Sequence, residues 1–404
     1  MVETLEDRKL LSSVPTAVYK DGYGFPQQLT VGPGGNIWFS LGLTARAGYI
    51  SSAGKVTTFD TSSASTHGLD GLTRGPDGNI WFAEMWDNVI GEISPAGKVT
   101  TYKLQQTYGP QNITLGPDNH LWITTFQGYI GRISIVSGKA NVAWYQFANQ
   151  AMHKIINYNG ALYFEEDTRI ARITTGGSIK EFPLPHGGRV QDIAKGPDGN
   201  LWFTENRFDF TTANNFVGYL TPGGVVKEFP ISKTNGDLSG IAAGGDGKLY
   251  FRQGDYLDAV NTAGKLLLSQ KLQFIAGGGS MVEDNNGDVW YAEGVLGQIG
   301  VAYVDGSVTG TVYHDTNKNG VLNTGETGLA NVRVYVDLNH DGKFDTGDVS
   351  MLTSTTGGYQ FNLAAGTYSV RVVPPTGMHV TSAVSQTVTL ALGKTVSGKN
   401  FGVA

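Results

Sequence analysis

The sequence predicts an all-β protein: a seven-bladed β-propeller sealed by its own N-terminal strand, followed by a smaller β module. Three observations predict it. An aromatic-centred octapeptide occurs seven times at a mean spacing of 42 residues. Glycine supplies 57 of 404 residues and charged side chains only 16%, a composition of short strands and tight turns. At Gly306 the period stops, and Val- and Thr-rich stretches take over around two acidic loops.

The first octapeptide, GPGGNIWF at Gly32 to Phe39, returns as GPDGNIWF ending at Phe82, GPDNHLWI ending at Ile123 and GPDGNLWF ending at Phe203. Weaker copies end at Phe164, Phe251 and Tyr291, so the recurring aromatic is Trp38, Trp81, Trp122, Tyr163, Trp202, Tyr250 and Trp290. Each period reads as four strands. In the second, GLTRG is an inner strand and Pro76 to Asn79 a turn whose Gly and Asn tolerate positive φ; IWFAE, VIGEIS and the alternating outer strand KVTTYKL follow. Repetition of such a sheet every ~40 to 45 residues is the signature of a propeller blade. The bulky aromatic suits a blade that buries one face against its neighbour. The seventh unit lacks an outer strand. Val14 to Lys20, VPTAVYK, resembles the KVTTF and KVTTY outer strands and is expected to complete it, making residues 14–305 one closed body without a long exposed edge. Residues 1–13 are then a flexible N-terminal segment, and 306–404 the second module.

Composition excludes several functions. There is no cysteine, hence no disulfide, thiol nucleophile or zinc-thiolate site. With 29 basic against 35 acidic side chains, no basic surface awaits nucleic acid. No apolar run reaches the ~20 residues of a spanning helix, so no membrane insertion is expected.

The clearest local chemistry lies in the second module. DTNKNGVLNTGE places Asp315, Asn317, Asn319, Asn323 and Glu326 at positions 1, 3, 5, 9 and 12, with Gly320 at 6 and the Val321 carbonyl at 7. DLNHDGKFDTGD repeats the pattern with Asp337, Asn339, Asp341, Gly342, Lys343 (carbonyl), Asp345 and Asp348. Calcium wants six to eight oxygens and a glycine-permitted sharp turn, which this spacing supplies. Two calcium ions are therefore expected. The flanks alternate like strands, so this is no helix-loop-helix sensor.

In the propeller, loops after the second strands carry Glu84, Trp86, Phe126, Glu165, Glu205, Arg207, Arg252 and Glu293, with Tyr23, Tyr108, Gln111, His153 and Arg189 on the loops before the inner strands. Glutamates at equivalent repeat positions are either repeat inheritance or a site for a cation or polar ligand; both readings stay open. Trp86, Phe126, Glu84, Glu165, Glu205, Arg207 and Arg252 are the candidate ligand contacts. His67, His120 and His186 match no ligand spacing.

The units GPDGNIWFAE and NVIGEISPAGKVTTY resemble the repeats of the streptogramin lyases, or virginiamycin B lyases, which are seven-bladed propellers. That resemblance implies a metal-assisted elimination on a cyclic depsipeptide. Histidines at the inner-strand starts of late blades act as base and substrate contact, and carboxylates of neighbouring blades hold magnesium. The matching starts here are PQQL at Pro26, LDGL at Leu69, PQNI at Pro110, MHKI at Met152, VQDI at Val190, LSGI at Leu238 and GSMV at Gly279. Only His153 falls at the histidine position, in blade four. Blades six and seven offer Ser239 and Ser280, while Glu293 matches a carboxylate position. His153 and Glu293 are thus the catalytic candidates, and magnesium belongs to the propeller only under the lyase reading.

From Gly306 the strings GTVYHDTNKNGVLNTGETGLANVRVYV and TSTTGGYQFNLAAGTYSVRVVPP resemble the SdrD B-type repeats of bacterial surface proteins. This implies an Ig-like or prealbumin-like β-sandwich serving as a calcium-rigidified spacer. Met1 to Ser13 shows no secretory signal. The favoured expectation is a monomeric extracellular or cell-surface protein whose propeller binds a glycan, peptide or matrix component. The alternatives are a metal-dependent lyase of a cyclic peptide or polysaccharide, and a purely structural surface protein.

Overall fold

The computed structural model describes residues 16–20, 22, 24–61, 67–147, 152–207, 214–272, 279–293, 297–304, 306–345, 348–363, 366–391 and 394–404. The expectations for residues 1–15 and for Tyr23 fall outside them. Two compact units emerge. The described residues up to Asn285, with Val289–Ala302, form one, and Asn286–Asp288 with Tyr303–Ala404 the other.

The first unit holds seven four-stranded antiparallel sheets among the described residues. The second sheet runs Leu72–Arg74, Ile80–Glu84, Val89–Ile93 and Val99–Lys103, the four strands read from the repeat. Inner strands touch their neighbours in order round the ring, and that of the last sheet, Met281–Glu283, meets that of the first, Pro26–Val31. Thr16–Lys20 pairs with Gln298–Ala302 as the outer strand of the seventh sheet, so the chain seals its own ring.

The repeat's chemistry explains this regularity. The indole or phenol packs between blades, and in four of them it donates to the aspartate four residues earlier: Trp81 Nε1 to Asp77 at 3.1 Å, Trp122 to Asp118 at 3.0 Å, Trp202 to Asp198 at 2.9 Å and Tyr250 Oη to Asp246 at 2.9 Å. The first blade has Gly34 where these four have the aspartate, and the Trp38 Nε1 is buried without a hydrogen-bond partner, whereas Trp290 Nε1 reaches Asp284 at 2.8 Å. The outer strand supplies a second ring, as in Trp81 on Tyr102 (5.6 Å) and Trp122 on Tyr145 (5.7 Å). In the seventh blade that ring is Tyr19 of the closing strand, stacked on Trp290 at 5.4 Å. Gly91 of the third strand lies under Phe82, where a Cβ would come within 2.2 Å of the ring. The cores bridge neighbouring sheets: Trp81 and Ile90 pack with Ile113, Ile123 and Ile133, and Trp202 and Val217 with Ile241 and Phe251.

The second unit stacks two sheets. One joins Gly358–Leu363, Gly306–His314, Thr395–Val396 and Phe401–Val403; the other runs Val349–Leu352, Arg333–Val336, Gly366–Val373 and Ser385–Leu390. Val308, Val312, Val334, Phe361, Val370 and Phe401 fill the space between them. The only helical turns among the described residues are the 3-10 pieces Pro33–Gly35 and Lys233–Asn235.

Candidate functional site

The inner strands begin around a concave mouth of about 710 Å³. Its walls are polar: Gln27 and Gln28, Asp70, Gln111 and Asn112, His153 and Lys154, Glu165, Asp192, and Ser239 and Ser280. Pairing registers slip at Pro26/Leu29, Pro110/Asn112, Val190/Asp192 and Leu238/Ile241. Each slip takes residues out of the ladder, as bulges beside sites do, and these residues line the mouth. Asn112 Nδ2 donates to Gln28 Oε1 at 2.6 Å, tying the third blade to the first. Lys154 Nζ lies 2.5 Å from Asp192 Oδ1, while Asp192 Oδ2 accepts the Ile241 amide at 3.0 Å.

Four buried polar atoms of this wall meet no hydrogen-bond partner among the described residues: Gln111 Oε1, Asn112 Oδ1, Glu165 Oε2 and Ser280 Oγ. A buried polar atom left unpaired costs roughly 1 to 3 kcal/mol, so the mouth is set up to receive hydrogen-bonding groups. Burial, reinforced by Asp192, drives the Glu165 carboxyl well above its usual range. Burial likewise pushes Asp70 up to about 6. His153 goes the other way, held below its ordinary value by burial and then by Arg189. Arg189 Nη2 sits 3.1 Å from His153 Nε2. A guanidinium only donates, so that imidazole nitrogen is the acceptor and its lone pair is engaged.

The glutamates of the repeat do not converge. Glu165 alone among the candidate ligand contacts reaches the mouth, where it stands with His153. Glu84 is buried and folds back on its own turn, accepting the Trp86 and Asp87 amides at 2.9 Å each. Glu293 and Arg252 form a buried ion pair at 3.1 Å, with Arg252 Nη2 also donating to the Gly254 carbonyl. Arg207 donates to the His186 carbonyl. Trp86 and Phe126 line a separate hollow. Equivalent repeat positions share depth on the face but point from seven different sheets, so equivalence alone brings nothing together. Of this amide and hydroxyl wall, the loop reading of the sequence names Gln111, whereas Gln27, Gln28 and Asn112 join it only in the fold. Its signal was present as PQQ, PQN and VQD at those starts. The fold also gathers His67, Glu84 and Asp87 with ligand atoms within 4.8 Å of one another, which no spacing announced.

Glu205 is buried and accepts the Gly188 amide at 2.6 Å. Burial and then the adjacent Glu228 push it up to about 8, with Arg207 opposing. The unfolded chain loses this proton near 4.5, so stability falls as pH rises from there and levels off only above about 8. Glu205→Gln, which carries a donor permanently, is expected to match the wild type at pH 4.5 and exceed it by about 1 to 2 kcal/mol at pH 8.5. Urea unfolding at both pH values measures this, and equal stabilities at pH 8.5 would refute it.

The two acidic loops of the second unit share one hydrogen-bond scheme. Gly320 donates to Asp315 Oδ2 at 2.7 Å and Gly342 to Asp337 Oδ2 at 3.0 Å. Asn323 donates to Glu326 Oε2 at 2.8 Å and Asp345 to Asp348 Oδ2 at 3.2 Å. Asn317 reaches Asn323, and Asn339 reaches Asp345, at 2.9 Å each. Asp315 and Asp337 are both buried. They differ in company, for Asp315 accepts from Thr381, whereas Asp337 pairs with Arg371 at 2.8 Å and keeps its Oδ1 unpartnered. This oxygen-only donor set, with an orphaned buried carboxylate oxygen, fits calcium. Of the propeller positions that the lyase resemblance would give to its site, the late-blade starts hold serines and Glu293 is paired with Arg252.

These features define the class of protein: a seven-bladed β-propeller with a polar axial mouth, joined to an Ig-like β-sandwich bearing two acidic loops. The chain belongs to the virginiamycin B lyase family, which matches residues 16–152 and 105–321. Residues 306–390 match the SdrD B-like domain, a type found in surface proteins. Among solved structures, a streptogramin B lyase is similar at 23% identity, covering 72% of this chain and 98% of that one, with a TM-score of 0.63. Virginiamycin B lyase from Staphylococcus aureus gives 26%, 72%, 99% and 0.61. A catalytically inactive histidine-to-alanine variant of that enzyme with quinupristin gives 25%, 71%, 99% and 0.62. No curated protein matches. No helix among the described residues is long and apolar enough to cross a membrane.

Proposed function

We propose that this is a secreted or cell-surface binding protein. Its propeller mouth recognises an extracellular glycan or peptide, and its calcium-bound C-terminal unit serves as a stiff spacer. The carrying observation is the mouth itself, a concavity lined by amides, hydroxyls and carboxylates with four unpartnered polar atoms. A purely structural protein has no use for such a wall. An elimination needs a free base and a cation. Here His153 has its acceptor nitrogen engaged by Arg189, and Glu293 is paired with Arg252. The calcium assignment is supported by the shared loop geometry. Asp315, Asn317, Asn319, the Val321 carbonyl, Asn323 and Glu326 would hold one ion. Asp337, Asn339, Asp341, the Lys343 carbonyl, Asp345 and Asp348 would hold the other. Bound calcium neutralises each carboxylate cluster and fixes the loop.

Two measurements test the reading. Quinupristin incubated overnight with the protein and magnesium is expected to remain intact by mass spectrometry; a linearised product would establish the lyase instead. On an array of extracellular glycans and peptides, the wild type is expected to give reproducible binders that weaken at least tenfold when Gln111 and Ser280 are both changed to Ala. An array without binders would remove the proposal.

A further inference from the structure

The face that carries the mouth holds a second hollow, of about 330 Å³, over the second and third blades. Where the mouth is polar, this hollow is aromatic. Trp86 is 68% exposed and Phe126 54%. Tyr108 closes one side, stacked on Tyr129 at 3.9 Å with its ring nearly parallel. Asp87, Lys103 and Gln127 stand at its rim. Hollow and mouth are connected through the backbone. Tyr108 and Gly109 lead directly into Gln111 and Asn112, and the Met85 amide of the hollow donates to Asp70 of the mouth at 3.2 Å.

Resting on the binding reading above, we propose that Trp86 and Phe126 form a stacking subsite for the sugar rings of a neutral glycan, whose neighbouring unit enters the mouth. A pyranose presents an apolar C–H face, which suits the electron-rich face of an aromatic ring, and a rim of hydroxyls. The unpaired oxygens of Gln111 and Asn112 require donors, and hydroxyls supply them; Ser280 Oγ and the proton-holding Glu165 carboxyl can donate or accept. Charge selects against acidic glycans. Asp70, Asp192 and Asp237 line the mouth against Lys154 and Arg189, and Lys154 is already held by Asp192. An apolar peptide anchor would cover the rings but leave the acceptors of the mouth unpaired, which binding penalises.

The test is affinity electrophoresis of the full chain through gels containing neutral polysaccharides (dextran, mannan, xylan, hydroxyethylcellulose) or acidic ones (polygalacturonate, heparin). Retardation is expected in at least one neutral gel, with apparent affinity falling at least tenfold in Trp86→Ala and in Phe126→Ala. Both side chains are largely exposed, so the variants should melt with the wild type, and a Thr367→Ala control in the second unit should retain full retardation. Lack of retardation in every neutral gel, retardation confined to the acidic gels, or retardation unchanged in both variants would each overturn the subsite. The two readings fail separately. Peptide binding that depends on Gln111 and Ser280, without neutral-glycan binding, would overturn the subsite and leave the binding reading standing; no binder in either format removes both.

Discussion

Millimolar calcium is expected to raise the melting temperature of the C-terminal unit by about 10 °C or more, and a chelator to reverse it. A cation bound only by the folded loops adds about 2.7 kcal/mol per site at a hundredfold excess over Kd, and each kcal/mol moves a domain of this size by about 4 to 8 °C. The acidic loops give the physical reason. Asp337, Asp341, Asp345 and Asp348 crowd four carboxylates into twelve residues, and among the described residues only Asp337 of the four has an ion-pairing cation, Arg371. Bringing such charges together is unfavourable until a cation neutralises them, so a bound ion would convert a repulsive cluster into a brace. Calorimetry on the full chain should show one transition that moves with calcium and one that does not. Asp315→Ala and Asp337→Ala should each remove part of the shift, because each deletes the first ligand of one loop. A calcium-independent transition in the wild type, or full shifts in both variants, would contradict the assignment.

The parts of the molecule that were legible in the sequence are those whose partners lie close along the chain. Asp77 meets Trp81 four residues on, and the hydrogen-bond partners within each acidic loop lie within twelve residues of one another, so spacing alone exposes them. The closing strand was legible for a related reason: VPTAVYK carries the outer-strand pattern, and Tyr19 fills the ring position that Tyr102 and Tyr145 occupy elsewhere. The mouth was not legible in the same way. Its wall is assembled from residues of several blades, as in Asn112 with Gln28, so the polar PQQ, PQN and VQD starts do not by themselves say which of them meet. The fates of the glutamates were equally hidden, because Glu84 is satisfied by its own turn whereas Glu293 takes its partner from another blade.

That last pair sets the other large effect. Arg252→Met is expected to destabilise the propeller by about 3 to 5 kcal/mol, since it leaves the Glu293 carboxylate buried without its counter-charge. Arg252 sits on Leu249–Gln253 of the sixth sheet and Glu293 on Val289–Glu293 of the seventh, with the guanidinium also lying 5.2 Å over the Tyr291 ring. The loss therefore falls on the join next to the ring closure. Burial already raises the Glu293 pKa, and Arg252 is the main group opposing that rise. Without it the folded state should hold the proton to higher pH, so the variant should be closest to wild type in acid and lose ground as pH rises through the carboxylate range. The double variant Arg252→Met with Glu293→Leu removes both charges from an apolar setting and is expected to recover most of the loss, as buried pairs replaced by packed side chains do. Urea unfolding of wild type, single and double variants at pH 5 and pH 8 separates these contributions. A single variant as stable as wild type at pH 8, or a double variant no better than the single, would show that the pair does not lock the two blades.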